Sequence, residues 1–433
     1  MDFIKELTWR GMINNIMPGT DKQLETGMNT AYIGVDPTAD SLHIGHLAGV
    51  MMLKHFQEAG HKPILVLGGA TGMIGDPSGK SKERNILTID VIKKNQEGIK
   101  QQLERFLDFS EEADNGAEIL NNYDWMSRFS FLDFIRDIGK HMTVNYMISK
   151  DSVKKRMGAT NEKDAEGLSF TEFSYQLVQG YDFLHLYREK NCKIQMGGSD
   201  QWGNITTGTE LIKRVENGKA YAVTCPLITK ADGGKFGKTE EGNIWLDPEK
   251  TTPYEFYQFW LNAGDEDAEK YLKIFTLIGQ PEIKQMSEEH KAEPYRRILQ
   301  KRLAEELTVM VHGREAYENS VEASKILFGK GTKKQLEGLN EKTFLSLFKG
   351  VPIYRVEKEK LLNGRDVFTL LSEDAEVFSS KGEIRRLMKD NGLSLNQEKF
   401  SDTEQLIDES FLINKKYIVV RRGKKKYHIL HIV

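Results

Sequence analysis

Between Thr30 and Gly69 the apolar positions change their period twice. "TAYIGVD" is a short continuous apolar run that ends at Asp36. In "DSLHIGHLAGVMMLKHFQEAG" the apolar residues Ile44, Leu47, Ala48, Met51, Met52 and Phe56 recur at helical spacing. "KPILVLGG" is again a continuous apolar run. The pattern predicts a strand, a crossover helix and a second strand, with Asp40 and Ser41 capping the helix and Gly60 ending it. Strands joined in this way lie parallel, with a right-handed connection. Ligands of such sheets bind at the carboxyl ends of the strands. Asp36 and the glycine-rich "GGATGMIGDPSG" fall there.

Further along, residues 88–190 are mainly helical in pattern. "KIQMGGSDQWGN" (193–204) reads as a strand, a glycine turn and a helix, and "YAVTCPLITK" as another strand. Residues 251–328 return to helical spacing. "GKGTKKQLEGLNEK" (329–342) is polar and glycine-containing, and reads as a linker. The remaining residues form a small basic α+β unit.

Length and composition narrow this picture. A chain of 433 residues fits two to four domains, at ~100–200 residues each. Its 39% hydrophobic and 29% charged residues suit a globular protein with a sizeable core. Apolar runs such as Pro63–Gly69 fall well short of the ~18 residues of a membrane span. The N-terminal "MDFIKELTWRG" lacks the apolar centre of a secretory signal. Cys192 and Cys225 are isolated and make neither a disulfide framework nor a zinc site, so a reducing cytoplasm is expected. The formal net charge of −3 is unevenly spread, because residues 351–433 carry 16 Lys+Arg against 13 Asp+Glu.

Four stretches carry candidate chemistry. "GGKFGKT" ends as a P-loop does, but the first glycine of G-x-x-x-x-G-K-[ST] is replaced by Asp232. "GDPSGKS" fails the same test at Ile74. "HIGH" (43–46) opens the crossover helix. Its histidines could be surface residues or a metal pair, but the spacing and glutamate of H-E-x-x-H are missing. A helix start with free N–H groups instead favours an anion, and Gly45 lets a flat group come close. Tyr175, Gln179 and Asp182 share one helix face, as a solvated stripe or as the wall of a polar pocket. Finally, "SSKGEIRRLMKDNG" pairs Ser380 with Glu383 as a capping box. It lines up Lys381, Arg385 and Lys389, with Arg386 beside them, and the tail adds "RRGKKKYHI" with Arg421 and Arg422. Such runs are either solvated faces or a phosphate-backbone footprint, and two of them in one small module favour RNA as a partner.

Taken in order, these pieces resemble the bacterial tyrosyl-tRNA synthetases, members of the class I aminoacyl-tRNA synthetases. "HIGH" is the first signature of that class, and "KFGKT" is the tyrosyl form of the second, KMSKS. "YIGVDPTADSLHIGH", "GGATGMIGDPSGK", "NNYDW", "LSFTEFSYQLVQGYDF", "GGSDQWGNI" and "TKADGGKFGKT" are similar to family blocks in the same order. The resemblance covers nearly the whole chain. It implies an α/β fold: a Rossmann-like parallel-sheet catalytic domain over 1–230 with a helical insertion at about 120–190. A KMSKS-type loop and helical anticodon-side domain would follow over 231–328. A linker over 329–350 and a ribosomal-protein-like RNA-binding module over 351–433 would complete the chain.

The resemblance also implies roles. Tyr32 and Asp182 would bind the phenol hydroxyl of tyrosine. Asp76, Tyr175 and Gln179 would hold its ammonium, and Gln195 and Gln201 would place its carboxylate. Gly34, Asp36, Thr38, His43, Gly45, His46, Gly198 and Asp200 would line the ATP site. Lys80, Arg84, Lys235, Lys238 and Thr239 would meet the triphosphate, with Thr38, His43, His46, Lys235, Lys238 and Thr239 forming the catalytic set. Magnesium would arrive with ATP, and no protein-bound metal is expected. Ile33 offers no polar contact to the ribose, and the long segment 157–167 receives no role. A homodimer meeting through the insertion, cytoplasmic location and tRNA(Tyr) as the final acceptor follow from the same resemblance. The alternatives are a tryptophanyl enzyme, another nucleotidyltransferase with an HxGH helix, and a non-catalytic RNA-binding relative.

Overall fold

A computed structural model describes residues 2–78, 88–151, 153–154, 168–231, 233–234, 236–239, 242–328, 333–348, 351–423 and 426–433. The chain divides into two compact units. One comprises residues 1–251 with 259–311, the other 252–258 with 312–433.

The first unit is built on six strands: β1 (Asn15–Ile16), β2 (Thr30–Val35), β3 (Lys62–Leu67), β4 (Glu118–Asn121), β5 (Cys192–Gly198) and β6 (Tyr221–Cys225). Their spatial order is β1-β6-β5-β2-β3-β4. All neighbours pair in parallel except β1, which joins the edge antiparallel to β6. The parallel sheet expected from the alternating pattern is therefore present, with a two-residue antiparallel edge added. Strand β3 is buried at five of its six positions. A strand covered on both faces reads as an unbroken apolar run, as "KPILVL" does. From β2 the chain winds outward through β3 and β4, and later from β5 to β6 on the other side. The strand order thus reverses between β2 and β5, where Tyr32 pairs with Gln195.

The crossover helix Leu47–Glu58 follows β2 and is preceded by a 3-10 turn, Ile44–His46. Its cap differs from the expected Asp40 and Ser41. The preceding 3-10 turn is capped by His43, whose Nδ1 accepts the Gly45 N–H at 3.1 Å, while His46 Nδ1 accepts the His43 N–H at 3.2 Å. His46 is the N-cap of the helix itself and makes no side-chain cap bond to it. Asp40 instead pairs with Lys250 at 2.7 Å. Gly60, at φ +85°, follows the helix end as expected. After β6 comes a short hairpin, β7 (Lys238–Thr239) with β8 (Gly242–Asn243). The helices Asp265–Phe275 and Gln280–Ala292 complete much of this unit.

The second unit contains β9 (Ile353–Val356), β10 (Arg365–Asp366), β11 (Leu393–Leu395), β12 (Glu398–Lys399), β13 (Leu406–Ile407), β14 (Tyr417–Arg422) and β15 (Lys426–Ile432). Five of them form a sheet in the order β12-β11-β14-β15-β9, and β10 pairs with β13. Along β14 the side chains alternate between two cores. Ile418 and Val420 pack with Leu430, Ile384 and Met388. Tyr417 and Val419 pack with Ile429, Phe344 and Leu336. The second core takes in the described part of the segment expected as a linker over 329–350. That part forms two helices, Lys333–Glu337 and Glu341–Leu347, which bury Leu336, Phe344 and Leu347. Residues of the expected 231–328 domain fall in both units, 231–251 and 259–311 in the first and 252–258 and 312–328 in the second. Among the described residues no helix is long and apolar enough to cross a membrane.

Candidate active site

A polar pocket opens between β2 and β5, at the carboxyl ends of the parallel strands. All seven residues expected to meet tyrosine line it: Tyr32, Asp76, Tyr175, Gln179, Asp182, Gln195 and Gln201. Gly34, Asp36, Thr38, His46 and Asp200 line it too. An adjoining, more apolar slot is bounded by Gly45, Gly198, Leu227 and Ile228, and shares Gly34, His46 and Asp200. The two form one cleft at the point where the strand order reverses, the usual ligand position in such sheets.

The helix Phe170–Lys190 supplies one wall. Ser169 caps it and Glu172 closes a capping box, so the face carrying Tyr175, Gln179 and Asp182 starts from a fixed position. Asp182 is buried, and each of its oxygens accepts one N–H: Oδ1 from Trp125 Nε1 at 2.8 Å, Oδ2 from Asn122 Nδ2 at 3.0 Å. Burial pushes its carboxyl up to about 7, against the pull of those two donors. Tyr32 Oη is buried and has no hydrogen-bond partner among the described residues. Burial, and then the charge of Asp182, raises the Tyr32 phenol far above its ordinary range.

Elsewhere in the lining, Tyr175 Oη donates to Asp36 Oδ2 at 2.9 Å and Thr71 Oγ1 donates to Asp36 Oδ1 at 2.7 Å. Asp76 accepts from Gln201 Nε2 at 2.6 Å, from the Ser78 N–H at 2.9 Å and from Asn204 Nδ2 at 3.3 Å. Asp200 is pushed above the usual carboxylate range by burial and by Asp76. Gln195 Oε1 is buried without a hydrogen-bond partner among the described residues. Four carboxylates and two unpartnered polar atoms thus face one small space. Such a site suits a ligand carrying a cation and hydrogen-bonding groups.

His43 is not among the residues lining this cleft. Its ring stacks on His46, centroids 4.0 Å apart, and meets Trp245 edge-on at 5.7 Å. A Cβ on Gly45 would lie 2.8 Å from His43 Cε1. The glycine of "HIGH" therefore makes room for the first histidine ring as well as for a ligand.

Sequence reasoning singles out neither Asn122 and Trp125 nor Thr71 and Asn204. All four hold pocket carboxylates. They sit inside "NNYDW", "GGATGMIGDPSGK" and "GGSDQWGNI", which give their location but not their partners. Lys80, Arg84 and Lys235 lie outside the described residues, as does the segment 157–167. For Lys238 and Thr239 the backbone is described, in β7.

In the second unit the candidate cations separate into two groups. Arg385, Arg386 and Lys389 are exposed on the helix Lys381–Lys389. Ser380 caps that helix, but Glu383 reaches back to the N–H of Ser379 rather than to that of Ser380. Lys381 is paired with Glu373 at 2.7 Å and Arg422 with Glu383. Arg421 donates to Ser394 Oγ and Gln397 Oε1, each at 3.1 Å.

Comparison with known proteins decides the family. A family model of the class I tRNA synthetases for tryptophan and tyrosine matches residues 24–329. A model of the tyrosine–tRNA ligase SYY-like C-terminal domain matches residues 343–430. The chain belongs to the tyrosine–tRNA ligase family. It is 61% identical over 430 residues to the ligase of Porphyromonas gingivalis W83, covering 99% of each chain. To that of Flavobacterium johnsoniae it is 54% identical over 434 residues, covering all of both. A C-terminally truncated mitochondrial tyrosyl-tRNA synthetase from Aspergillus nidulans is 31% identical with a TM-score of 0.65, over 75% of this chain and 94% of that one. The C-terminal match is to a tyrosine-specific domain, which weighs against the tryptophanyl alternative.

Proposed function

We infer that the chain activates L-tyrosine with ATP, giving tyrosyl-adenylate and pyrophosphate, and passes the tyrosyl group to the 3′ end of tRNA(Tyr). The reading is carried by the closed end of the pocket, where an unpartnered Tyr32 Oη sits with a buried Asp182 carboxylate. A phenol hydroxyl both donates and accepts, and would satisfy the two together. Phenylalanine would leave them unsatisfied, at ~1–3 kcal/mol for a neutral group and more for a charged one. At the other end, Asp76, Tyr175 and Gln179 would hold the ammonium, and Gln195 and Gln201 would orient the carboxylate.

The substrate carboxylate is already a nucleophile, so attack on the α-phosphorus requires no general base. Catalysis would come from positioning and from stabilising charge on the phosphorus and the departing pyrophosphate. Thr38, His43 and His46 would act from the sheet side. Lys235, Lys238 and Thr239, with Lys80 and Arg84, would act from the loops. Asp36, Gly198 and Asp200 would border the nucleoside, and Mg²⁺ would travel with ATP. Of the candidate RNA-binding cations, Arg385, Arg386 and Lys389 are exposed and would face the tRNA backbone. We further infer a cytoplasmic homodimer. The 120–190 segment exposes Phe131 (65%), Leu132 (76%) and Phe170 (67%), a concentration of large apolar side chains that a second copy would cover. A Leu132→Asp chain should sediment as monomer where the parent is dimeric.

The deciding assay is ATP–pyrophosphate exchange with tyrosine, run beside tryptophan and phenylalanine, followed by tRNA charging. Exchange with tyrosine alone is expected, and none with tyrosine would overturn the reading.

A further inference from the structure

The two signature motifs are linked by main-chain hydrogen bonds through Ile244. The Ile44 N–H donates to the Ile244 carbonyl at 3.0 Å, and the Leu246 N–H to the Leu42 carbonyl at 2.9 Å. The Ile244 N–H in turn donates to the Gly237 carbonyl at 3.1 Å. Gly237 has φ +76°, and a Cβ there would stand 2.9 Å from Ile44 Cγ1. The backbone of the second signature therefore rests directly on the turn of the first.

One residue earlier, Phe236 enters an aromatic socket. Its ring stacks on Phe275 at 5.3 Å and 9°, and meets Tyr271 at 5.1 Å, Trp260 at 5.9 Å and Phe259 at 6.1 Å. Trp260, Tyr271 and Phe275 are themselves buried. The socket is also fixed from behind. Tyr271 and Phe275 lie on the helix Asp265–Phe275, whose terminal carbonyls lack partners within the helix. The buried guanidinium of Arg10 donates to the carbonyls of Lys273 (2.7 Å), Thr276 (2.8 Å) and Ile278 (3.0 Å). Glu6 holds Arg10 in turn, at 2.8 Å.

We propose that Phe236 is a positioning residue for phosphate capture: seated in the Trp260–Tyr271–Phe275 socket, it fixes the backbone from which Lys238 departs. The proposal rests on the reading that Lys238 meets the ATP phosphates. Gly233, Gly234 and Gly237 precede that lysine, and glycine by itself leaves a backbone poorly defined. An aromatic anchor two residues before Lys238, with a main-chain link to "HIGH" through Ile244 beside it, supplies the definition. The ordinary alternative is that Phe236 merely fills a core, in which case its loss would weaken every activity together.

The test compares the full-length enzyme with Phe236→Ala, Phe236→Leu, Lys238→Ala and the double variant Phe236→Ala/Lys238→Ala. The readouts are the maximal rate of adenylate formation at saturating tyrosine, and tyrosine affinity without ATP. Phe236→Ala should slow adenylation by about 10²-fold, the scale of a ~1 Å misplacement of a reacting group, with tyrosine affinity unchanged. Phe236→Leu, which refills the socket, should recover most of the rate. The double variant should be no slower than Lys238→Ala, because the two residues act through one contact. A parent-like rate for Phe236→Ala, parallel loss of tyrosine binding, or fully additive slowing in the double variant overturns the proposal. A parent-like rate for Lys238→Ala refutes the phosphate reading itself, and the anchor with it.

Discussion

The indole Nε1–H of Trp125 donates to Asp182 Oδ1 at 2.8 Å, and both side chains are buried. This bond joins the short helix Tyr123–Met126, after β4, to the long helix Phe170–Lys190. It aims a carboxylate that would otherwise be free to turn. Asn122 holds the other oxygen, so both oxygens of Asp182 are fixed where it lines the pocket.

Trp125→Phe keeps the ring, and so much of the stack on His185 at 4.4 Å, but removes the donor. Above about pH 7, where Asp182 is ionised, a hydrogen bond to this charged group contributes ~1.5–3 kcal/mol. Tyrosine affinity should therefore fall about tenfold to a hundredfold, while ATP affinity holds. Equilibrium binding of each substrate measures the split. Equal losses for both would mean that Trp125 supports the fold rather than the carboxylate.

The same carboxyl gives a pH signature. Burial holds Asp182 up at about 7, against an ordinary 3.8, with Asn122 and Trp125 pulling down and Asp36 adding to the rise. Between those pH values the folded chain keeps a proton that the unfolded chain has released. Stability from this group is therefore greatest at low pH and is lost as pH rises through that window. The loss is ~1.4 kcal/mol per pH unit, on the order of 4 kcal/mol in all. Asp182→Asn does not titrate. The stability of the parent minus that of the variant, from urea unfolding, should fall as pH rises from about 4 to 7 and then level off. A difference that is flat with pH would contradict the assignment.

Much of this site can be read in the sequence, for a physical reason. Buried parallel strands and an amphipathic crossover leave unmistakable periods, so β2, the helix Leu47–Glu58 and β3 are legible, and with them the strand ends that carry Asp36 and Asp76. The Tyr175–Gln179–Asp182 face is legible because helical spacing fixes it. What orients those carboxylates is not. Asn122, Trp125 and Asn204 act across the fold, and local spacing carries no record of a contact 57 or 128 residues away. His43 as a cap is hidden because Asp40 and Ser41 are better cap formers in isolation. The segment 329–350 reads as a linker because its glycine and lysine residues outweigh the spaced Leu336, Phe344 and Leu347. Those three become core only when β14 and β15 are present.

Gly45→Ala tests whether "HIGH" needs its glycine for the histidine ring. A Cβ would stand 2.8 Å from His43 Cε1 and 2.9 Å from Nδ1, closer than real Cβ atoms approach. The ring would have to leave its stack on His46 and its bond from the Gly45 N–H. Adenylation should slow by about tenfold to a hundredfold, the scale of a misplaced catalytic group. Tyrosine binding should not change, since His43 does not line that pocket. Unaltered adenylation would show that the cap geometry is dispensable.

The exposed helix face of the second unit should act on tRNA alone. Arg385, Arg386 and Lys389 are solvent-exposed, whereas Lys381 and Arg422 are paired with Glu373 and Glu383. Freeing a paired cation costs part of what a phosphate would return, so the three exposed cations should dominate the contact. The combined variant Arg385→Ala, Arg386→Ala, Lys389→Ala should charge tRNA(Tyr) with a higher KM and leave tyrosine-dependent pyrophosphate exchange intact. Removing each cation from the RNA backbone should also flatten the salt dependence of tRNA binding, by roughly 0.7–0.9 in the slope of log K against log salt. An unchanged slope would place the RNA contact elsewhere on the unit. Loss of pyrophosphate exchange in the same variant would instead mean that the basic helix supports the catalytic fold rather than the nucleic acid.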